Sequence, residues 1–332
     1  MDAVTGHDES LAEYRAARDA VGLVDRSELG VVDVSGRDRS KFLHALLSND
    51  IASLTPGQGC EAALLDVHGK VQVMLVAWVL DDRIVLLTPP GMAESTVAAL
   101  DHYLFAEKVV LSDVSGQRAL LMLVGPAADE TAKRLTGAAP PDAPWAHVTA
   151  SLDGIEVRVV RGGGELDERE VWLAAPTAEG GRVRDAALAA GARPLGATAL
   201  ESLRIETGTP RFGADVDATV LLPEIPSERL VSHTKGCYPG QEVVVRIRDR
   251  GHVNRHLRGL VLEGGAPPPP GAEVVADGAV VGRVTSATRS LGLQRPIALA
   301  FVKRQHAPGA QVSVRAADGT LPATVSDLPF AR

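Results

Sequence analysis

Lys235-Gly236-Cys237-Tyr238-Pro239-Gly240-Gln241-Glu242 is the stretch whose residue types can do chemistry at close quarters. It holds one of the two cysteines in the sequence, set between two glycines, with a lysine two residues before the sulfur. In an extended backbone side chains two apart share a side, so the Lys235 ammonium can sit beside the Cys237 thiol. A neighbouring cation favours thiolate over thiol and makes a cysteine reactive. Tyr238-Pro239-Gly240-Gln241 reads as a type II turn, with Pro fixing φ at the second position and Gly accepting positive φ at the third. The bland alternative is a small buried hydrophobe beside a turn, which is how most free cysteines behave. On the chemistry alone the two readings stand level.

A second stretch is Thr198-Ala-Leu-Glu-Ser-Leu-Arg-Ile-Glu-Thr-Gly208. Its spacing predicts a helix with Leu200, Leu203 and Thr207 on one face and Gly208 as its stop. Glu206 offers a carboxylate able to accept two N–H donors from a ligand edge. Otherwise Arg204 and Glu206 are an exposed ion pair of little worth. A third stretch follows the turn: arginines 246, 248, 250, 255 and 258, with His252 and His256, meet only Asp249 within their own run. This is an anion-receiving strip or a solvated hairpin. No aromatic interleaves the arginines, so stacking on RNA bases has little to work with.

The eight-residue stretch resembles the K-G-C-Y-x-G-Q-E signature of the YgfZ family, folate-binding, T-protein-like proteins tied to iron–sulfur cluster maintenance, and it matches at every fixed position. The resemblance runs from about residue 21 to about residue 303. Leu203-Arg204-Ile205-Glu206-Thr207-Gly208 followed by Pro210 and Phe212-Gly213 is similar to the L-R-x-E-x-G…P-x-x-G run of the superfamily. The resemblance implies an α+β cloverleaf of lobes around a central hole plus a C-terminal antiparallel β-barrel, divided as residues 1–253 and 254–332. It implies a tetrahydrofolate or related reduced folate in the hole, and no stably bound metal. Glu206 would sit at the pterin, with Arg204, Gln72, Gly236, Gly240, Gln241, Glu242 and Arg246 completing the folate site. Cys237 would be the reactive group, tuned by Lys235 and flanked by Tyr238. The implied partners are iron–sulfur client or assembly proteins, including tRNA-modifying enzymes; binding of RNA itself ranks below a folate tail at the arginines.

One departure stands out. Aminomethyltransferases of the superfamily carry Gly-Gly-x-x-Asp-Asp where this chain reads His68-Gly69-Lys70-Val71-Gln72-Val73. Gln72 can orient a ligand but cannot carry a negative charge or exchange a proton near neutral pH. Folate-dependent aminomethyl transfer or N-demethylation is therefore the competing enzyme reading, with Asp66 a possible substitute carboxylate.

Length and composition bound the rest. A chain of 332 residues can bury a substantial core in two or three domains. Hydrophobic content of 45% and charged content of 23% are those of an ordinary soluble protein, while aromatics at 3% leave the core to aliphatics. A net charge of −8 argues against wholesale nucleic-acid coating but not against a local basic site. The polar, acidic N-terminus is unlike a signal peptide, and no apolar run approaches the roughly 20 residues that span a bilayer. Two distant cysteines make neither a disulfide framework nor a four-ligand metal site, so a cytoplasmic protein with reduced thiols is expected.

Periodicity places the scaffold. A helix is expected over 9–22, a strand over Val31–Val34, and a capping-box-like helix start at Ser35–Asp38 before Phe42, Leu43, Leu46 and Leu47. Asn49-Asp50 and Pro56-Gly57 match the opening of the superfamily. Ala62 to Leu80 and Arg83 to Thr88 read as strands, Gly91 to Leu104 as a helix, and Val109–Leu111 and Arg118–Val124 as strands. Gly137–Pro144 and Arg161–Glu165 look like surface loops, the second of them between strands Val157–Val160 and Glu170–Ala174, followed by a helix from Gly180. Val243-Val244-Val245 favour strand, whereas the resemblance suggests a helix opening at Gly240; periodicity leaves both open. Short strands at 257–262, 273–275, 280–286, 297–302 and 311–314 suit a small antiparallel barrel, with a stiff loop at Pro267–Pro270 inside it. Cys60 reads as core.

Overall fold

The computed structural model describes residues 2–166, 168–316 and 319–331. Helix α1 (Asp2–Asp19) and strand β1 (Gly22–Asp25) are followed by β2 (Gly30–Ser35), α2 (Arg39–Leu46), β3 (Gly59–Leu65), β4 (Val71–Val79), β5 (Arg83–Thr88), α3 (Ala93–Asp101) and β6 (Val110–Asp113). Strands β2 to β6 pair antiparallel in the order β3-β4-β5-β2-β6. Alternation along β4 explains how this sheet serves two cores. Val73, Leu75, Ala77 and Val79 face α2 and α3, where they meet Phe42, Leu43, Leu46 and Leu100. Val76 and Trp78 face the second lobe with Val31, Val85 and Leu87.

That lobe comprises β7 (Arg118–Val124), α4 (Ala128–Thr136), β8 (His147–Leu152), β9 (Ile155–Arg161), β10 (Glu170–Pro176), α5 (Gly180–Ala189) and β11 (Arg193–Pro194). Its sheet runs β11-β1-β7-β10-β9-β8. Leu120, Met122 and Trp172 meet the first sheet, while Leu121, Leu123, Val159 and Leu173 pack under α4 and α5. Helix α6 (Ala197–Thr207) crosses from this core to the barrel, and α7 (Gln241–Arg250) precedes it. The barrel closes through β12 (Arg255–Leu262), β13 (Glu273–Ala276), β14 (Ala279–Arg289), β15 (Pro296–Lys303), β16 (Gln311–Ala316) and β17 (Gly319–Ser326), in the order β12-β15-β14-β13-β16-β17. The expected architecture of α/β lobes with a C-terminal antiparallel barrel is what the chain adopts.

Several local expectations need correction. The first helix stops at Asp19, because Gly22–Asp25 is already a strand, pairing antiparallel with β7 and parallel with β11. The capping box at Ser35–Asp38 does not form: Asp38 makes no side-chain cap bond and accepts the Lys108 N–H at 2.7 Å instead. Residues Val243–Val245 are helical, so α7 resolves the open choice against local β propensity. Gly162 and Gly163 are buried rather than at the surface. A Cβ on Gly163 would lie 2.4 Å from Glu61 Oε1 and 2.6 Å from the Trp145 ring, so the missing side chain is what lets the loop tuck in.

Candidate functional site

The signature is a clamped loop that presents one side chain. Lys235 is only 9% exposed and donates from Nζ to the carbonyl oxygens of His44 and Leu47, at the C-terminal end of α2. Those carbonyls have no partner within the helix, and a lysine ammonium suits that negative end of the helix dipole. The same Nζ lies 5.0 Å from the Tyr238 ring centroid, and that ring is 6% exposed against Ile205, Val231 and Val244. Burial pulls Lys235 down to about 8, opposed by the charges of Asp50, Cys60 and Cys237.

The turn forms as the sequence predicts. Gly240 has φ 78° and ψ −5°, and the Gln241 N–H reaches the Tyr238 carbonyl at 3.2 Å. Gly240 also wedges against the β3–β4 hairpin: a Cβ there would lie 2.5 Å from the Asp66 carbonyl oxygen and 2.9 Å from Gly69 Cα. The hairpin is stiffened in turn, since Asp66 Oδ1 accepts the N–H groups of His68 and Lys70, each at 2.9 Å. Gln72 lies two residues beyond Lys70 as the extra residue of a bulge, because Leu65 pairs with Val71 and Leu64 with Val73. Upstream, Asn49 Nδ2 bonds the carbonyls of Glu61 and Arg229, and Ser48 Oγ bonds that of Leu230, holding the chain that enters the signature.

Within this clamp Cys237 and Gly236 are exposed. Glu242 is exposed and Gln241 half-buried in the first turn of α7. His44 brings its Nε2 to 4.0 Å from where a Gly236 Cβ would stand, and its Nδ1 lies 3.1 Å from Asp50 Oδ1. No residue pattern around His44 marks it in advance. Cys60, by contrast, is pushed up to about 12 by burial, with the charges of Glu61 and Asp50 adding, and is inert near neutral pH. Of the arginines, Arg248 pairs with Asp249, while Arg255 and Arg258 pair with Glu224 and Asp327 from outside the run. Arg246 and Arg250 remain exposed on α7, so the strip is narrower than its composition.

Glu206 stands apart from the signature and is already spoken for. Its Oε1 accepts from Ser202 Oγ at 2.8 Å, Ser290 Oγ at 2.6 Å and the Gly292 N–H at 3.2 Å. Its Oε2 accepts from the Tyr14 hydroxyl at 2.6 Å and Arg18 Nη2 at 3.1 Å. Burial works against the charge, but these donors outweigh it and hold the carboxyl below its usual range. In this structure the carboxylate is 3% exposed and its five donors all come from the protein itself. Arg204 is likewise enclosed at 2% exposure, bonded to Glu201 and to Asp215 at 2.7 Å. It is a buried network and not the exposed pair of the bland reading.

Carboxylates that are still reachable lie at the seam of the lobes. Glu61 on β3 accepts Trp145 Nε1 at 3.0 Å, with its side chain 22% exposed and its pKa raised by burial. Glu165 is 24% exposed and takes both its bonds from Arg26 Nη1 at 3.0 Å. Glu170 is 1% exposed, accepts the N–H groups of Gly164 and Leu166, and is pushed up to about 8 by burial, with the Glu165 charge adding. The folded state therefore keeps a proton between pH 4.5 and about 8 that the unfolded chain has released. That contribution to stability is full below the lower value and is lost as pH rises through the upper one. Glu170→Gln is expected to remove a loss on the order of 4 kcal/mol across that window. Urea titrations of both proteins at its two ends check this.

Two family descriptions match the chain: the GCVT N-terminal domain over residues 4–235 and the glycine cleavage T-protein C-terminal barrel domain over residues 255–331. Among curated relatives, an aminomethyltransferase of Frankia alni is 34% identical over 96% of this chain and 88% of its own length. A putative chloroplastic transferase of Arabidopsis thaliana is 31% identical over 92% of this chain and 70% of its own. Among solved structures, the glycine cleavage system aminomethyltransferase T of Bartonella henselae superposes with a TM-score of 0.87 at 23% identity, covering 97% of this chain and 89% of that one. No helix among the described residues is long and apolar enough to cross a membrane.

Proposed function

The chain belongs to the glycine cleavage T-protein family, and from that premise we propose that it is a reduced-folate-binding protein whose working group is the thiol of Cys237. Its role in this reading is the assembly or repair of iron–sulfur clusters in client enzymes, those that modify tRNA included, and its place in the family is the YgfZ branch. The observation that carries the reading is the contrast within one loop. Lys235, Tyr238 and Gly240 are buried and wedged while Cys237 between them is exposed. Chemistry on a small molecule alone favours a dry, enclosed nucleophile; a thiol held rigidly outward suits a group carried by another protein. One thiolate is too few to hold a cluster, so a client supplies the other ligands.

The folate has a chemical fit other than Glu206. Its amino-pyrimidine edge needs carboxylate acceptors, which Glu61 and Glu165 offer at the seam of the lobes, and the Gln72 amide adds a donor and an acceptor. Arg246 and Arg250 suit the acidic tail. In calorimetry with tetrahydrofolate, Glu61→Gln is expected to weaken binding by about tenfold. Cys237→Ser should bind as the wild type does yet fail to restore a cluster-dependent tRNA-modifying activity in cells lacking the protein. Loss of folate binding in Cys237→Ser, or full restoration by it, overturns the reading.

The names of the relatives favour a second reading, aminomethyl transfer to tetrahydrofolate. Gln72 stands against it, since a carboxamide cannot take the proton that transfer must move. Turnover of an aminomethyl or N-methyl donor by the purified protein with tetrahydrofolate would put that reading first.

A further inference from the structure

Far from the signature, three arginines from three strands of two sheets converge on a cavity of about 230 Å³. Arg83 opens β5, Arg118 opens β7 and Arg158 lies in β9, while Asp33 on β2 forms the wall between them. Such a cavity has room for a small oxyanion with accompanying water. Among the residues that line it, three guanidinium groups meet two carboxylates, Asp33 and Glu156, and Asp82 pairs with Arg83 from outside the lining. His147 adds no charge: Arg158 Nη1 donates to its Nδ1 at 2.9 Å, and burial together with the Arg158 charge pushes the imidazole down to about 4.

The pairing inside the cavity is lopsided. Arg83 Nη1 and Arg118 Nη2 both approach Asp33 Oδ2, at 3.1 Å and 3.6 Å. Asp33 Oδ1 and Arg118 Nε are buried with no hydrogen-bond partner among the described residues, whereas Arg83 Nε is turned to the Asp82 carboxylate at 3.4 Å. Buried polar atoms left unpaired are costly, and a donor and an acceptor left so around one space point to something that pairs with both. What fits must accept from guanidinium N–H groups and also donate to a carboxylate oxygen. Chloride, sulfate and an ordinary carboxylate can only accept.

We propose that this inter-lobe cavity is a binding site for monohydrogen phosphate, with Arg83, Arg118 and Arg158 bonding its oxygens and Asp33 Oδ1 accepting its remaining O–H. Inorganic phosphate keeps one proton at neutral pH, whereas sulfate keeps none and a phosphate monoester loses its last near pH 6. The site therefore discriminates on a proton and not on charge or shape. It shares no residue with the signature loop or with Glu61 and Glu165, so it stands whether or not the folate reading does.

The test is calorimetry on the full-length protein at about pH 7.5 with inorganic phosphate, sulfate and methyl phosphate as separate titrants. Phosphate is expected to bind, with sulfate and methyl phosphate at least about tenfold weaker. Arg158→Gln should weaken phosphate by on the order of 10- to 100-fold. Asp33→Asn should bring phosphate and sulfate to similar affinities, since its amide can donate where the carboxylate only accepts. Equal affinities for phosphate and sulfate in the wild type, unchanged binding in Arg158→Gln, or no phosphate binding up to about 10 mM would each overturn the proposal. If Asp33→Asn fails to fold, the wild-type comparison and Arg158→Gln decide the matter.

Discussion

Glu206→Ala is expected to lower stability by about 3–5 kcal/mol, the cost of removing one partner from a buried charged network. Arg18 keeps Glu168 at 2.7 Å, so its charge is not stranded, but the Tyr14 hydroxyl and the Gly292 N–H lose their acceptor in a buried setting. Glu206→Gln should be nearly as damaging, because the amide turns a donor toward groups that are themselves donors. Urea midpoints for both variants settle it. A loss below about 1 kcal/mol with abolished tetrahydrofolate binding would return the carboxylate to the ligand, as its spacing after Arg204 suggests.

Gly240→Ala is the second substitution with a large expected effect. A residue with a Cβ at φ 78° costs about 1–2 kcal/mol by itself. Here the Cβ would also meet backbone atoms, the Asp66 carbonyl oxygen and Gly69 Cα, which cannot swing aside as a side chain would. Either the turn or the hairpin must move, and the total loss should reach about 3 kcal/mol or more. Gly213→Ala is the internal control: its φ is 87°, yet nothing lies within 4 Å of the added atom. It should cost only the conformational part, about 1 kcal/mol. Because Gly240 anchors the loop bearing Cys237, its variant should also lose the cluster-restoring activity, which Gly213→Ala keeps. Equal costs for the two variants would mean that the wedge against the hairpin does not set the loop.

These cases show which parts of the molecule could be read from residue order. The Pro239-Gly240 turn and the Gly208 helix stop depend on a few adjacent residues, and both form as expected. The barrel strands announced themselves by alternation, although Gly319–Ser326 was missed. Local propensity failed where tertiary contacts decide. Val243–Val245 enter a helix because Gly240 starts one and Val244 buries itself beside Tyr238. The glycine run at 162–164 has the composition of an exposed loop but packs against Glu61, Glu170 and Trp145. For Glu206, the pattern marked the residue as special yet could not name its donors, which come from the opening helix and from the turn after β14. His44 gave no sign, since its place beside Gly236 depends on how α2 meets a loop nearly two hundred residues later.

The connections made by Glu206 also bear on the order in which the protein comes off the ribosome. Its donors Tyr14 and Arg18 precede it by 192 and 188 residues, whereas Ser290 follows it by 84. A growing chain, emerging N-terminal end first, can bring α1 to α6 while the barrel is still unmade. Half the carboxylate is then satisfied, and Oε1 has only Ser202 until the turn after β14 arrives. Docking of the barrel thus completes the shell around the carboxylate, and it waits on a turn made 84 residues after Glu206 itself.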